Sequence, residues 1–453
     1  MNNREFTRAS EYRYNRSGPT RWLLSHIAHY WYLPLVMALA GIFSNVLMSY
    51  SRLLVGQAFD WVTQPSPALK DLGMIALTVM FTRLGTGVVG LGRNVSVELL
   101  AQRLERDCRD ELYTSLLGKS LTFHGQQRVG DIMARATNDV HQINLMMSPG
   151  INLIFDSLTG LVVPIVVMGT IRRELLLAPS VFVVLLAVAL WDYTRRLNPV
   201  ANATREEFGT MNAGLAEAIS GIEVVKVNAQ EAQEAAKFSA QARKFRDLFV
   251  RNGEIQARYI PFLIYSFCFT AGLLHALLLH MRSDTFTIGN VIAYIGLFGT
   301  LRFPTFLSLF TFTLVQMGHA STGRILSVIN AETELDENAE GINRPLKGKV
   351  VFEDVTFGYG DGEPILKKIS FRAKPGETVA IVGETGSGKM NQNPVKNRVH
   401  DVQEGRVLID GVDVRQWQLE SLRSQISTIE QDIFLFSRPI EENIAFGVGQ
   451  NAN

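Results

Sequence analysis

The residues most able to do chemistry are Gly383-Glu384-Thr385-Gly386-Ser387-Gly388-Lys389, which follow the apolar run Thr378-Val379-Ala380-Ile381-Val382. A β-branched run entering G-x-x-x-x-G-K is the strand-to-loop entry of a phosphate-binding loop. Glycines let successive backbone N–H groups turn inward on the phosphates, and the lysine reaches the β/γ oxygens. The bare pattern arises by chance in roughly one in eight chains this long, and its bland reading is an ordinary glycine-rich turn, so its surroundings must carry the assignment. The next position should supply a Ser or Thr hydroxyl to Mg²⁺. It is Met390, which cannot.

The elements that would position this loop come next. From Ala331 to Arg344 the chain is polar and acidic (Glu332, Glu334, Asp336, Glu337, Glu340) and then reaches Pro345, the composition of a linker. Short strands are expected beyond it at 350–352, 369–371, 378–382 and 406–409. Turns such as Pro375-Gly376 and Asp410-Gly411 bound them.

Everything before the linker has a different character. The chain has 453 residues, 47% hydrophobic and 19% charged, with net charge +1, and no basic excess points to nucleic acid. Cys108 and Cys268 are far apart and read as isolated thiols. No cleavable signal peptide is expected, because the stretch before the first apolar segment holds Arg4, Arg8, Arg13, Arg16 and Arg21. Six segments are long enough to cross a bilayer: 30–50, 72–92, 151–171, 175–191, 259–281 and 288–314.

Short connections join these spans in pairs. Two connections of roughly 60 residues, crowded with charge, separate the pairs, and the positive-inside rule puts both of these and the N-terminus in the cytoplasm. Both long connections look helical over 97–117 and 202–240, as though membrane helices continue past the bilayer, with turns expected near Gly130-Asp131 and Asn212-Ala213. Arg83, Asp156 and Arg302 lie inside spans and should face a partner or a cavity, or snorkel.

Several motifs share one family likeness. Val355-Thr356-Phe357-Gly358-Tyr359, Gly383 to Lys389, and Ser427-Thr428-Ile429-Glu430-Gln431-Asp432 with Phe434-Leu435-Phe436 resemble the adenine-stacking segment, the Walker A loop and the Q-loop of ATP-binding cassette (ABC) transporters. Glu441-Glu442-Asn443-Ile444 continues that pattern. Gly130-Asp131-Ile132-Met133-Ala134-Arg135 and Ser220-Gly221-Ile222-Glu223-Val224 resemble the family's first and second intracellular loops.

The whole chain thus resembles an exporter-type half-transporter. The resemblance implies an all-α six-helix transmembrane domain over 1–325, a linker over 326–346, and an incomplete α/β P-loop NTPase domain over 347–453. It also implies ATP and Mg²⁺ as ligands. Tyr359 would stack on adenine, Gly383, Gly386, Ser387, Gly388 and Lys389 would hold phosphate, and Gln431 would contact Mg²⁺ and the attacking water. The partners implied are the bilayer, a second half in a homodimer or heterodimer, and a cargo that no residue pattern names. The simplest location is a bacterial inner membrane, with the N-terminus and nucleotide domain cytoplasmic.

Two departures shape the expected activity. The family's signature motif, Walker B aspartate, catalytic glutamate and switch histidine would all follow Asn453, so no catalytic residue is assigned and the chain is expected to be truncated and not to hydrolyse ATP. The segment Met390–His400 also fails to look like the expected helix: Pro394, about a turn in, would cost on the order of 3 kcal/mol there. The family pattern resumes at Asp401, which suggests a compensated frameshift between good flanks. The alternative is a non-catalytic membrane subunit that pairs with an intact half. A soluble P-loop kinase or GTPase fails on the six spans.

Overall fold

The structure, a computed structural model, describes residues 5, 6, 12, 14–64, 69–359, 362–384, 395, 397–429 and 434–447. Long helices α1 (Pro19–His29), α2 (Tyr32–Val62) and α3 (Leu69–Leu117) open the chain. Short helices α4 (Leu121–Gln126), α5 (Val129–Ala134) and α6 (Val140–Leu145) lead into α7 (Asn152–Ile171). They are followed by α8 (Leu177–Ser220), α9 (Ile222–Val227), α10 (Glu231–Ala257), α11 (Pro261–Arg282), α12 (Ile288–Thr300) and α13 (Arg302–Asn330). Among the described residues six helical stretches are long and apolar enough to cross a membrane: Tyr32–Val62, Leu69–Leu117, Val129–Ile171, Arg173–Ser220, Glu231–Arg282 and Ile288–Leu307.

Three details of the helices differ from expectation. The sixth apolar segment is broken: α12 stops at Thr300, Leu301 forms a turn, and α13 starts again at Arg302. Pro304 explains the break, because it has no N–H to return to the Thr300 carbonyl one turn earlier. Asn212-Ala213 forms no turn and lies within α8; the chain turns instead at Gly221 and around Ala229, whose φ is +53°. Packing of α8 along α10, with Phe208 against Phe245 and Gln241 against Gly214, outweighs the weak local helix preference. Near Gly130-Asp131 the chain turns two residues earlier, at the extended Gln127 and Arg128, and both residues sit in the first turn of α5.

The chain divides into two compact units: Tyr30–Gln102 with Leu145–Met317, and Met1–His29 with Arg103–Asn144 and Gly318–Asn453. In the first, α2, α7, α8, α11 and α12 enclose a core of Met168, Phe182, Tyr265, Tyr294, Leu297 and Phe298. The closest approach is between Gly56 on α2 and Gly289 on α12, where a β-carbon on either glycine would collide with the other's carbonyl oxygen. Small residues let helix backbones touch where apolar solvent gives helices no hydrophobic reason to associate. Asp60, one turn past Gly56, accepts from Thr287 Oγ1 (2.6 Å) and from the Gly289 N–H (2.8 Å), so it caps α12. Asp156 pairs with Arg93 at 2.5 Å, so this intramembrane charge has a partner.

The second unit carries a four-stranded antiparallel sheet. Its strands β1 (Val350–Phe357), β2 (Leu366–Ala373), β3 (Glu404–Ile409) and β4 (Val412–Asp413) lie in the order β2-β1-β3-β4. Asp410 and Gly411 both have positive φ, +51° and +82°, as a two-residue hairpin between β3 and β4 requires. One face of the sheet is buried with Phe352, Val355, Phe357, Val407, Ile409 and Trp417.

The strand expected at 378–382 does not form. The strand order β2-β1-β3-β4 leaves the outer edges of β2 and β4 open, but among the described residues this run pairs with neither. β-propensity is realised only through cross-strand partners, and without them Val382 is 88% exposed.

Candidate nucleotide-binding site

Tyr359 sits just past the end of β1, and the strand's irregularities place it there. Asp354 has φ +47° and the pairing with both neighbours shifts register around Val355. Opposite it Gly405 has φ +78°, and a β-carbon there would strike the Glu353 and Asp354 carbonyls, so only glycine fits. Such a bulge twists a strand and re-aims its end. The end is then fixed by two bonds, Ile365 N–H to the Phe357 carbonyl (2.7 Å) and Gln403 N–H to the Thr356 carbonyl (3.0 Å).

Tyr359 is 48% exposed and packs against two other rings. Phe357 meets it edge-on with centroids 5.1 Å apart, and His400 meets it at 5.3 Å and 87°. His400 also lies 5.7 Å from Phe357. Burial lowers the His400 pKa, against the opposing pull of Glu334 and Glu5, and this favours a neutral imidazole. A half-exposed tyrosine held by its neighbours is a fitting partner for a purine ring.

The imidazole reaches the helical part of the same unit. Its Nδ1 lies 3.0 Å from the hydroxyl of Thr122 on α4, the short helix within the first long connection. Ser120 caps α4 by accepting the Phe123 N–H. Lys119, just before, donates to the carbonyls of Ile329 (3.2 Å) and Ala331, where α13 ends. Arg423 holds the chain before His400 in place through the carbonyls of Asn397 (3.2 Å) and Arg398 (2.7 Å). Sequence reasoning missed both Thr122 and His400; no local pattern marks a contact between residues so far apart in the chain.

Of the expected site residues, Tyr359 is placed as described and Gly383 lies in an exposed, irregular segment. Gly386, Ser387, Gly388, Lys389, Met390 and Gln431 lie outside the described residues. Among the described residues no cluster of His, Cys, Asp and Glu is arranged to hold a metal ion.

The comparisons with known proteins agree in kind. The family described as the ABC transporter transmembrane region matches residues 35–305, and that described as ABC transporter matches residues 366–453. The ATP-dependent lipid A-core flippase of Methylobacillus flagellatus is 30% identical over 447 residues, which cover 95% of this chain and 73% of that protein. The protein of the same description from Alcanivorax borkumensis is 26% identical, over 94% of this chain and 73% of its own length. The fatty acid ABC transporter ATP-binding/permease protein of Mycobacterium tuberculosis is 32% identical, over 78% of this chain and 56% of its own. With six membrane-capable helices, a β-rich segment after them and both family matches in that order, the chain belongs to the ABC transporters and is a multi-pass membrane half-transporter of the exporter type.

Proposed function

We propose that this chain is one half of a dimeric exporter that uses ATP to move an amphiphile bearing acyl chains. Membership of the family supports ATP-driven export, and relatives named for lipid A-core and for fatty acid support the cargo class. The observation that carries the nucleotide reading is Tyr359, a half-exposed ring braced by Phe357 and His400 at a strand end.

In this reading Tyr359 stacks on adenine. The backbone at Gly383, Gly386, Ser387 and Gly388, with Lys389, holds the phosphates, and Gln431 faces the Mg²⁺ and water position. Mg²⁺ supplies charge neutralisation at the phosphates. It prefers oxygen ligands, and the Met390 thioether is a poor one. The membrane part spans 1–325, the linker 326–346 and the nucleotide part 347–453, with the N-terminus and nucleotide part in the cytoplasm of a bacterial cell.

The 453-residue chain by itself is expected to bind nucleotide without hydrolysing it, since none of its residues is assigned as catalytic base. Met390 also favours a second reading, in which this chain is the non-catalytic half of a heterodimer.

Binding of a fluorescent ATP analogue to the purified chain tests both levels. Base–aromatic stacking is worth about 1–3 kcal/mol, so Tyr359→Ala should weaken binding roughly tenfold, whereas Tyr359→Phe should keep most of it. Equal binding by Tyr359→Ala would remove the adenine assignment, and phosphate release by the chain alone would remove the claim of no hydrolysis.

A further inference from the structure

A cavity of about 520 Å³ opens between α8 and the junction of α10 with α11, lined by Arg195, Arg196, Arg251 and Arg258. Two carboxylates, Asp192 and Glu254, share the lining. Asp192 is already paired with Arg196 at 2.9 Å, and among the described residues no carboxylate lies within ion-pair distance of Arg195, Arg251 or Arg258. The cavity is therefore a net cationic pocket with uncommitted guanidinium groups.

Its place in the sequence defines what it would meet. The apolar run of α8 ends at Trp191, and that of α11 begins at Tyr259, so the pocket lies where lipid-facing sequence gives way to polar sequence. Trp191, Tyr193 and Tyr259 gather here: the Tyr193 and Tyr259 rings pack at 5.4 Å, and Arg195 lies 5.4 Å over the Trp191 ring. Aromatic residues of this kind collect at headgroup depth. The remaining wall is apolar, with Ala189, Ile255, Ile260 and Pro261.

We infer that this pocket binds the phosphate of an anionic phospholipid headgroup, whose acyl chains lie along the apolar wall. Guanidinium forks match phosphate oxygens in pairs, and basic pockets between membrane helices are suited to acidic headgroups. Such a lipid bridges α8 to the α10–α11 junction, two elements separated by the whole second long connection. The site is distinct from the nucleotide region, and the inference stands whatever the cargo.

Equilibrium binding of short-chain phosphatidylglycerol to the purified full chain in detergent tests it, alongside phosphatidylcholine of the same acyl length and inorganic phosphate. Phosphatidylglycerol should bind in preference to phosphatidylcholine and weaken as salt rises. A surface arginine is worth roughly a fivefold change in such binding, so Arg251→Ala with Arg258→Ala should weaken it about 25-fold. The double lysine variant should retain binding, and Arg243→Ala, on α10 but outside the pocket, should change nothing. Should the double alanine variant not fold, the lysine variant and the salt series still decide. Equal binding of phosphatidylcholine, or an unchanged double alanine variant, overturns the inference. Competition by inorganic phosphate at the lipid's own concentration assigns the pocket to free phosphate and overturns it too.

Discussion

His400 joins two parts of the unit with one ring: its Nδ1 meets the Thr122 hydroxyl and the ring packs at 87° to Tyr359. Burial lowers the imidazole's pKa while Glu334 and Glu5 pull the other way, so the folded chain favours the neutral ring. The sign of the pH effect follows. Below its ordinary value of about 6.5 the unfolded chain takes up a proton that the folded ring resists, so stability is present above that value and is lost as pH falls through it. The thermal midpoint of the chain should therefore drop between about pH 7.5 and 5.5 through this group, and the drop should shrink in His400→Gln. A variant with the same pH profile as the parent would show that His400 carries none of it. Tyr359 was legible in the sequence because its neighbours form a recognisable run. His400 was not, because its role depends on a residue 278 positions away.

At the scale of elements, the contact between α2 and α12 is the most demanding packing in the first unit. Gly289→Leu should disrupt it outright, since the added β-carbon meets backbone carbonyl and the Asp60 carboxylate rather than a flexible side chain. Asp60→Ala removes its bonds to Thr287 and Gly289 at the start of α12, where Thr287 still accepts the Asn290 N–H, and should cost about 1 kcal/mol. Denaturant unfolding in detergent should rank the two in that order, and an equal loss would mean that the glycine contact contributes nothing beyond those bonds. Apolar length alone located the spans, because hydrocarbon thickness sets that length. Where a helix breaks depends on single residues, and Pro304 was hidden inside a segment whose overall hydropathy was right. The 378–382 run shows the converse: its residues favour a strand, but a strand also needs a partner, and nothing in the run itself says whether it docks on an open edge.

At the scale of the molecule, the second unit is assembled from three separate stretches of chain, and buried carboxylates join them. Glu111 accepts from Arg16 Nε (2.6 Å) and Trp22 Nε1 (2.9 Å), with His26 Nε2 at 3.2 Å, and so fixes α1 to the end of α3. Asp139 accepts from Arg324 Nε (2.9 Å) and Ser321 Oγ (3.1 Å), and so fixes the first long connection to α13. Glu5 completes the set: its N–H donates to the Gly118 carbonyl (3.0 Å) and its carboxylate accepts from Arg423 (2.7 Å) beside the sheet. Removing one member of a buried charged set leaves the remaining desolvated groups poorly compensated, a loss of about 3–5 kcal/mol. Glu111→Ala should therefore loosen the unit as a whole. In limited proteolysis the N-terminal 30 residues and the 331–349 stretch before the sheet should become sensitive together, although Glu111 contacts only the first of them. If only the N-terminal residues are cut faster, the three stretches open independently. If both are cut faster in step, the three stretches unfold as one body, held together by the carboxylates that join them.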